Sequence, residues 1–254
     1  MKVIYSDGKI GECPKEEELQ VIRHTAAHVL AQAVKRLYPH AAFAYGPATE
    51  KGFYYDVDLG DTKLSDSDLA AIEQEMREIV KANLPIKPFI LPRSEALKLM
   101  EERNEPYKVE HIADLDENEP LSFYEQGEYI DMCTGPHLTY TKTLKAFKLT
   151  GLSGAYWKND SKNKMLTRIN GTAFSTGKEL DDFLKLQEEA ERRDHRKIGK
   201  EMKLFMFSDE GPGFPFFLPN GMIVRNALID YWRELHTRNG YQEIATPLIM
   251  NRRL

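Results

Sequence analysis

IRHTAAHVLAQAVKRLY, residues 22–38, sets how the rest of the chain is read. Ile22, Ala26, Val29, Leu30 and Val34 recur at helical intervals, which predicts an amphipathic helix. His24 and His28 stand four apart on it, so both imidazoles point to one side. Much further along, YIDMCTGPHL (129–138) carries a second short spacing, Cys133-x-x-x-His137. Gly135 and Pro136 forbid a regular helix there, and the pattern predicts a tight loop after a strand. Two histidines from a helix and a Cys–His pair from a loop can form one hydrolytic or metal site if the fold brings them together. Taken singly, each half has a plainer explanation, a half-exposed helix face or a small buried apolar cysteine.

The 254 residues, 41% of them hydrophobic, suffice for a real core and for division into two parts. A net charge of −5 leaves no global basic footprint, so any RNA contact must come from a local patch. Lys142, Lys145, Lys148, Lys158, Lys162 and Lys164, interleaved with Tyr140, Tyr156 and Trp157, are the candidates, against the plainer reading of a solvated rim. Two cysteines argue against a disulfide scaffold and suit a reducing compartment. There is neither a charged-then-apolar leader nor an apolar run of about 20 residues, and the chain reads as cytoplasmic with no membrane partner.

Residues 42–59 are aromatic and β-branched and read as paired strands. LSDSDLAAIEQEMREIVKAN (64–83) predicts a helix capped by Ser65 or Ser67, with Leu69, Ile72, Met76, Ile79 and Val80 as its apolar stripe. LPIKPFILP (84–92) reads as a strand and RSEALKLMEERN (93–104) as another helix. KELDDFLKLQEEAERRDHRKIGKEM (178–202) predicts one long, charge-laced helix linking two domains. Beyond it, EGPGFPFFLPNG (210–221) reads as a hairpin or loop. MIVRNALIDYWRELHTRNG (222–240) reads as a helix burying Ile223, Leu228, Tyr231, Trp232 and Leu235, and YQEIATPLIM (241–250) as a strand. The mixture indicates an α+β fold with a mainly antiparallel sheet.

IRHTAAHVLAQAVKRLYP (22–39) and YIDMCTGPHL (129–138), with GPATEKGFYYDVDL (46–59), NEPYKVE (104–110), GAYWKNDSKNKMLTRINGTAF (154–174) and DHRKIGKEMKLFMF (194–207), resemble the threonyl-tRNA synthetases of bacterial type, in that family's order. Alanyl-tRNA synthetases and their free-standing editing relatives share the two spacings but are not expected to continue into DHRKIGKEMKLF. The resemblance implies an editing domain over 1–180, a linker helix over 181–202 and the start of a class II aminoacylation core over 203–254. In that family the 222–250 region carries the homodimer interface. The motifs that bind ATP, and the zinc of the core, are expected beyond Leu254, so the chain looks like a fragment of a threonine-tRNA ligase. The tail from about 203 is then expected to be less stable than the editing domain.

Such an enzyme needs a second site because a pocket shaped for threonine cannot strongly reject serine. One methyl group is worth only about 1–3 kcal/mol of discrimination. The implied reaction is hydrolysis of the seryl ester on the acceptor end of tRNA(Thr). The implied site residues are His24, His28, Lys108, Asp131, Cys133 and His137. Imidazoles titrate close to working pH and can act as base or donor, a lysine can stabilise an oxyanion, and an aspartate can take the substrate ammonium. Zinc is the rival use of the His/His/Cys/His set. The threonyl resemblance favours editing with no required cofactor. The other alternative is a non-catalytic module that binds tRNA or a synthetase subunit.

Overall fold

A computed structural model describes residues 1–116 and 121–249. The chain divides into two compact units, Met1–Phe183 and Leu184–Leu254. The first runs β1 (Lys2–Ile4), β2 (Ile10–Glu12), α1 (Glu18–Leu37), β3 (Ala42–Phe43), β4 (Phe53–Asp58), α2 (Asp66–Ala82), β5 (Ile86–Leu91) and α3 (Arg93–Glu102). It continues with α4 (Pro106–Asp114), β6 (Leu121–Gln126), β7 (Tyr129–Met132), β8 (His137–Leu138), β9 (Ala146–Tyr156) and β10 (Met165–Phe174). Three antiparallel sheets result, ordered β3-β4-β10-β9, β2-β1-β8 and β5-β6-β7. The fold is therefore mixed α and β with antiparallel sheets.

Helix α1 runs through the middle of this unit, against α2, β4, β8 and β10. Its small residues Ala26, Ala27, Ala31 and Ala33 are fully buried and let neighbours approach on every side. From Val21 to Val34 every residue but His24 is buried. The helix is thus buried all round rather than along one stripe, and His24 is its opening to solvent. Helix α2 packs Ile72, Met76 and Ile79 inward. It begins at Ser65, whose amide donates to the Asp68 carboxylate at 2.8 Å, a reciprocal cap of the kind worth about 0.5–2 kcal/mol. Helix α4 has no counterpart in the sequence reading. Pro106 at its first turn pre-sets the backbone, and the helix turns Tyr107, Lys108 and Ile112 into the protein.

The division between units falls within α5 (Gly177–Arg192), which is followed by α6 (His195–Glu201), β11 (Phe205–Met206), β12 (Phe216–Phe217) and α7 (Pro219–Arg238). The single linker helix expected over 181–202 is two helices, broken at Arg193–Asp194. There the Asp194 carboxylate accepts the Arg196 amide at 2.7 Å and starts α6 afresh. β11 and β12 form an antiparallel hairpin, Phe205 opposite Phe217. Two expectations for the tail are corrected. Residues 241–249 form no strand, since no described segment pairs with them, and Met250 lies outside the described residues. The apolar residues of α7 are not buried: Ile223 is 70% and Leu228 65% exposed, and Tyr231 and Trp232 are exposed too. Among the described residues no helix is long and apolar enough to cross a membrane.

Candidate active site

Polar groups from α1, β4, α4 and β7 line one cleft of about 550 Å³, and His137 of β8 lies fully buried behind its wall. α1 supplies His24 and His28, with ring centroids 5.2 Å apart. β8 supplies His137, whose ring lies 4.4 Å from His24 and 4.1 Å from His28. β8 is held by β1, where Ile4 pairs with His137. On β7 the strand alternation turns Tyr129 and Asp131 inward. Cys133 follows directly, its amide donating to the Ser122 carbonyl at 3.0 Å and its carbonyl accepting the Ser122 hydroxyl at 2.7 Å. Gly135 is required here, with a φ of +68° and a position where a Cβ would meet the Tyr124 hydroxyl at 1.9 Å.

The Cys133 Sγ lies 3.1 Å from His24 Nε2 and 3.3 Å from His137 Nε2, and it accepts the Gly135 amide at 3.2 Å. Beside this group, Lys108 Nζ is 2.8 Å from Asp131 Oδ1 and donates to the Tyr55 hydroxyl at 3.1 Å. The Tyr55 hydroxyl donates in turn to Asp131 Oδ2, and His28 Nε2 stands 3.6 Å from that oxygen. All six residues expected at the site are thus neighbours. Tyr55 is a seventh member that the sequence reading missed, although its signal was present: in GFYYDV, period-two alternation turns Phe53, Tyr55 and Val57 inward together.

Burial sets the protonation states. It pushes His24 down to about 4 and His28 down to about 3, with Asp131 opposing and Lys108 reinforcing the shift in both. His137 is pushed well below the ordinary imidazole value by burial, then by the two neighbouring histidines. The Cys133 thiol is pushed up to about 12, again chiefly by burial. Burial alone would raise the Asp131 carboxyl, but the Lys108 ammonium, His28 and the bonds from Lys108 and Tyr55 outweigh it and hold it below the ordinary range. At neutral pH the site therefore holds three neutral imidazoles, a thiol and a carboxylate paired with an ammonium.

Neutral imidazoles and a cysteine are also the donors of a tetrahedral zinc site. The ligand atoms of His24, His28, Cys133 and His137 all lie within 4.8 Å of one another, so the set fits a metal ion in donor type and proximity. The proposed RNA-binding patch is less coherent. Lys148 pairs with Glu73 at 3.1 Å, Lys158 with Asp114 at 2.5 Å and Lys164 with Asp58 at 2.7 Å. Trp157 is buried and stacked on Tyr45 at 5.0 Å between centroids, so it belongs to the core instead of a stacking surface.

Comparison with known proteins bears on the same unit. Residues 121–170, which contain β6, β7 and the Cys133–His137 loop, match the family described as "Threonyl and Alanyl tRNA synthetase second additional domain". The chain is 56% identical over 239 residues to the "Threonine--tRNA ligase" of Clostridioides difficile (strain 630), covering 94% of this chain and 37% of that protein. Against the enzyme of the same name from Clostridium tetani (strain Massachusetts / E88) the identity is 57%, again over 94% of this chain and 37% of the relative. For Clostridium botulinum (strain Langeland / NCTC 10281 / Type F) it is 53% over 100% of this chain and 40% of the relative. The chain thus spans well under half the length of the curated relatives it matches. Along its whole length the chain is similar to part of the bacterial threonine–tRNA ligases, and over 121–170 to the second additional domain of threonyl and alanyl tRNA synthetases.

Proposed function

We propose that the unit Met1–Phe183 is an editing hydrolase that removes serine from mischarged tRNA(Thr). The observation that carries this reading is the convergence of two neutral imidazoles, a thiol and a Lys–Asp pair on one cleft, with the His137 imidazole packed directly behind them. A module that only binds RNA does not need to bury so many titratable groups together, since burying them without full compensation costs stability.

The reaction follows from the groups. The seryl ammonium docks on Asp131, whose carboxylate has acceptor capacity beyond Lys108 and Tyr55. A neutral imidazole of His24 or His28 takes a proton from water, and the water oxygen bonds to the ester carbonyl carbon. The Lys108 ammonium stabilises the developing oxyanion. The carbon–oxygen bond to the ribose then breaks, the ribose oxygen takes the proton back, and free serine and uncharged tRNA leave. Threonine is spared because its extra methyl group does not fit the same pose. If zinc were bound, His24, His28, Cys133 and His137 would hold it and it would supply Lewis-acid activation of water. We propose that the reaction proceeds without it. The ligase reaction itself, with ATP, and two-fold pairing through 222–250 are part of the same proposal for the protein as a whole, which we place in the cytoplasm.

The test is incubation of the purified chain with seryl-tRNA(Thr), following ester loss with and without a chelator. We expect rapid loss of the ester, unchanged by chelation. Binding of tRNA with no ester loss would leave only the binding module, and activity lost to the chelator and restored by zinc would overturn the metal-free reading.

A further inference from the structure

Thr25 stands between the two histidines of α1 and is fully buried. Its hydroxyl has two hydrogen-bond partners among the described residues. The Leu138 amide donates to Thr25 Oγ1 at 3.1 Å, and His137 Nδ1 lies 3.2 Å from the same oxygen. An amide nitrogen can only donate, so the hydroxyl has one place to spend its own proton, the Nδ1 lone pair of His137. A buried hydroxyl proton with no acceptor is disfavoured, which selects this arrangement over the reverse.

The consequence passes along the ring. With Nδ1 accepting, the single proton of neutral His137 sits on Nε2, which faces Cys133 Sγ at 3.3 Å. Sγ then receives two donors, His137 Nε2–H and the Gly135 amide. Its own proton is directed to the remaining neighbour, His24 Nε2, at 3.1 Å. A chain of hydrogen bonds thus runs in one direction, from the Leu138 backbone through Thr25, His137 and Cys133 to His24.

We infer that Thr25 is a positioning residue that fixes His137 as a donor, so that His137 orients Cys133 and does not accept the proton from water. This inference rests on the editing reading and leaves His28 as the proton acceptor, because neutral His24 already accepts the Cys133 proton at Nε2 and holds its own on Nδ1.

The test is long-range proton–nitrogen NMR of the full chain labelled with ¹⁵N-histidine, at neutral pH and without tRNA. In the unsubstituted protein His137 should show a protonated Nε2 and an unprotonated Nδ1. Thr25→Val should release that preference and lower seryl-tRNA hydrolysis by roughly 10–100-fold, the range for partners that orient a ligand or catalytic ring. Thr25→Ser should restore both. A proton found on Nδ1 of His137 in the unsubstituted protein overturns the inference even if the valine variant fails to fold. An unchanged proton position in a folded valine variant overturns it as well. Because the NMR measurement needs no substrate, a chain that hydrolyses no ester but keeps its proton on Nε2 leaves Thr25 in this role while the editing reading fails.

Discussion

Lys108→Ala is expected to lower unfolding free energy by about 3–5 kcal/mol and to lower seryl-tRNA hydrolysis by roughly 10²–10³-fold. Lys108 and Asp131 are 5% and 3% exposed and form a 2.8 Å ion pair. Removing the ammonium leaves a buried carboxylate with the Tyr55 and Tyr129 hydroxyls and neutral His28 beside it but no cation. An unpaired buried charge costs far more than the pair itself contributes. From sequence alone, a lysine reaching a pocket would be expected to matter to chemistry more than to folding. The structure makes it matter to both. Combining Lys108→Met with Asp131→Asn removes both charges and should recover most of the stability with none of the activity. Urea unfolding of the single and double variants is the check. A Lys108→Ala protein as stable as the parent would contradict the buried-pair account.

Stability should fall steeply as pH drops below about 6.5. The folded-state values of His24 and His28 are depressed to about 4 and about 3. Unfolded chains therefore take up protons that the folded protein refuses, and the deficit grows until pH reaches the folded values. Each histidine contributes a slope of up to about 1.4 kcal/mol per pH unit, so the two together cost about 4 kcal/mol at pH 5. His137 shifts in the same direction. The Glu105 carboxyl, raised chiefly by burial, works in the opposite sense but is one group against three. Hydrolysis per folded molecule should stay level between pH 7 and pH 5, because His24 and His28 remain neutral there. Urea titrations and deacylation rates at the two pH values test both halves. Equal stability at pH 7 and 5, or activity halving near 6.5, would contradict them.

Periodicity made the long helices legible. Ile22 to Val34 and Leu69 to Val80 repeat at helical spacing, and both stretches are helical. The two short spacings identified four neighbours because each segment's local geometry already aimed its pair to one side. What stayed hidden depends on contacts distant in sequence. Tyr55 reaches Asp131 from 76 residues away. Thr25 reads as an ordinary helix residue until β8 is laid beside it. Lys108 sits on a helix of nine residues, too short for its period to stand out. In 178–202 the charge pattern runs on across Asp194, and nothing local says that its carboxylate caps a new helix. For 222–249, apolar residues imply burial or strand pairing only when another element covers them, and none of the described elements does so for Ile223, Leu228 or Ile249.

Side-by-side incubation of the chain with seryl-tRNA(Thr) and threonyl-tRNA(Thr), following release of each amino acid, tests the central claim most directly. A hydrolytic sieve predicts fast loss of the seryl ester and a threonyl ester that decays no faster than it does without protein. Equal rates for the two esters, whether both fast or both at the uncatalysed level, would contradict it.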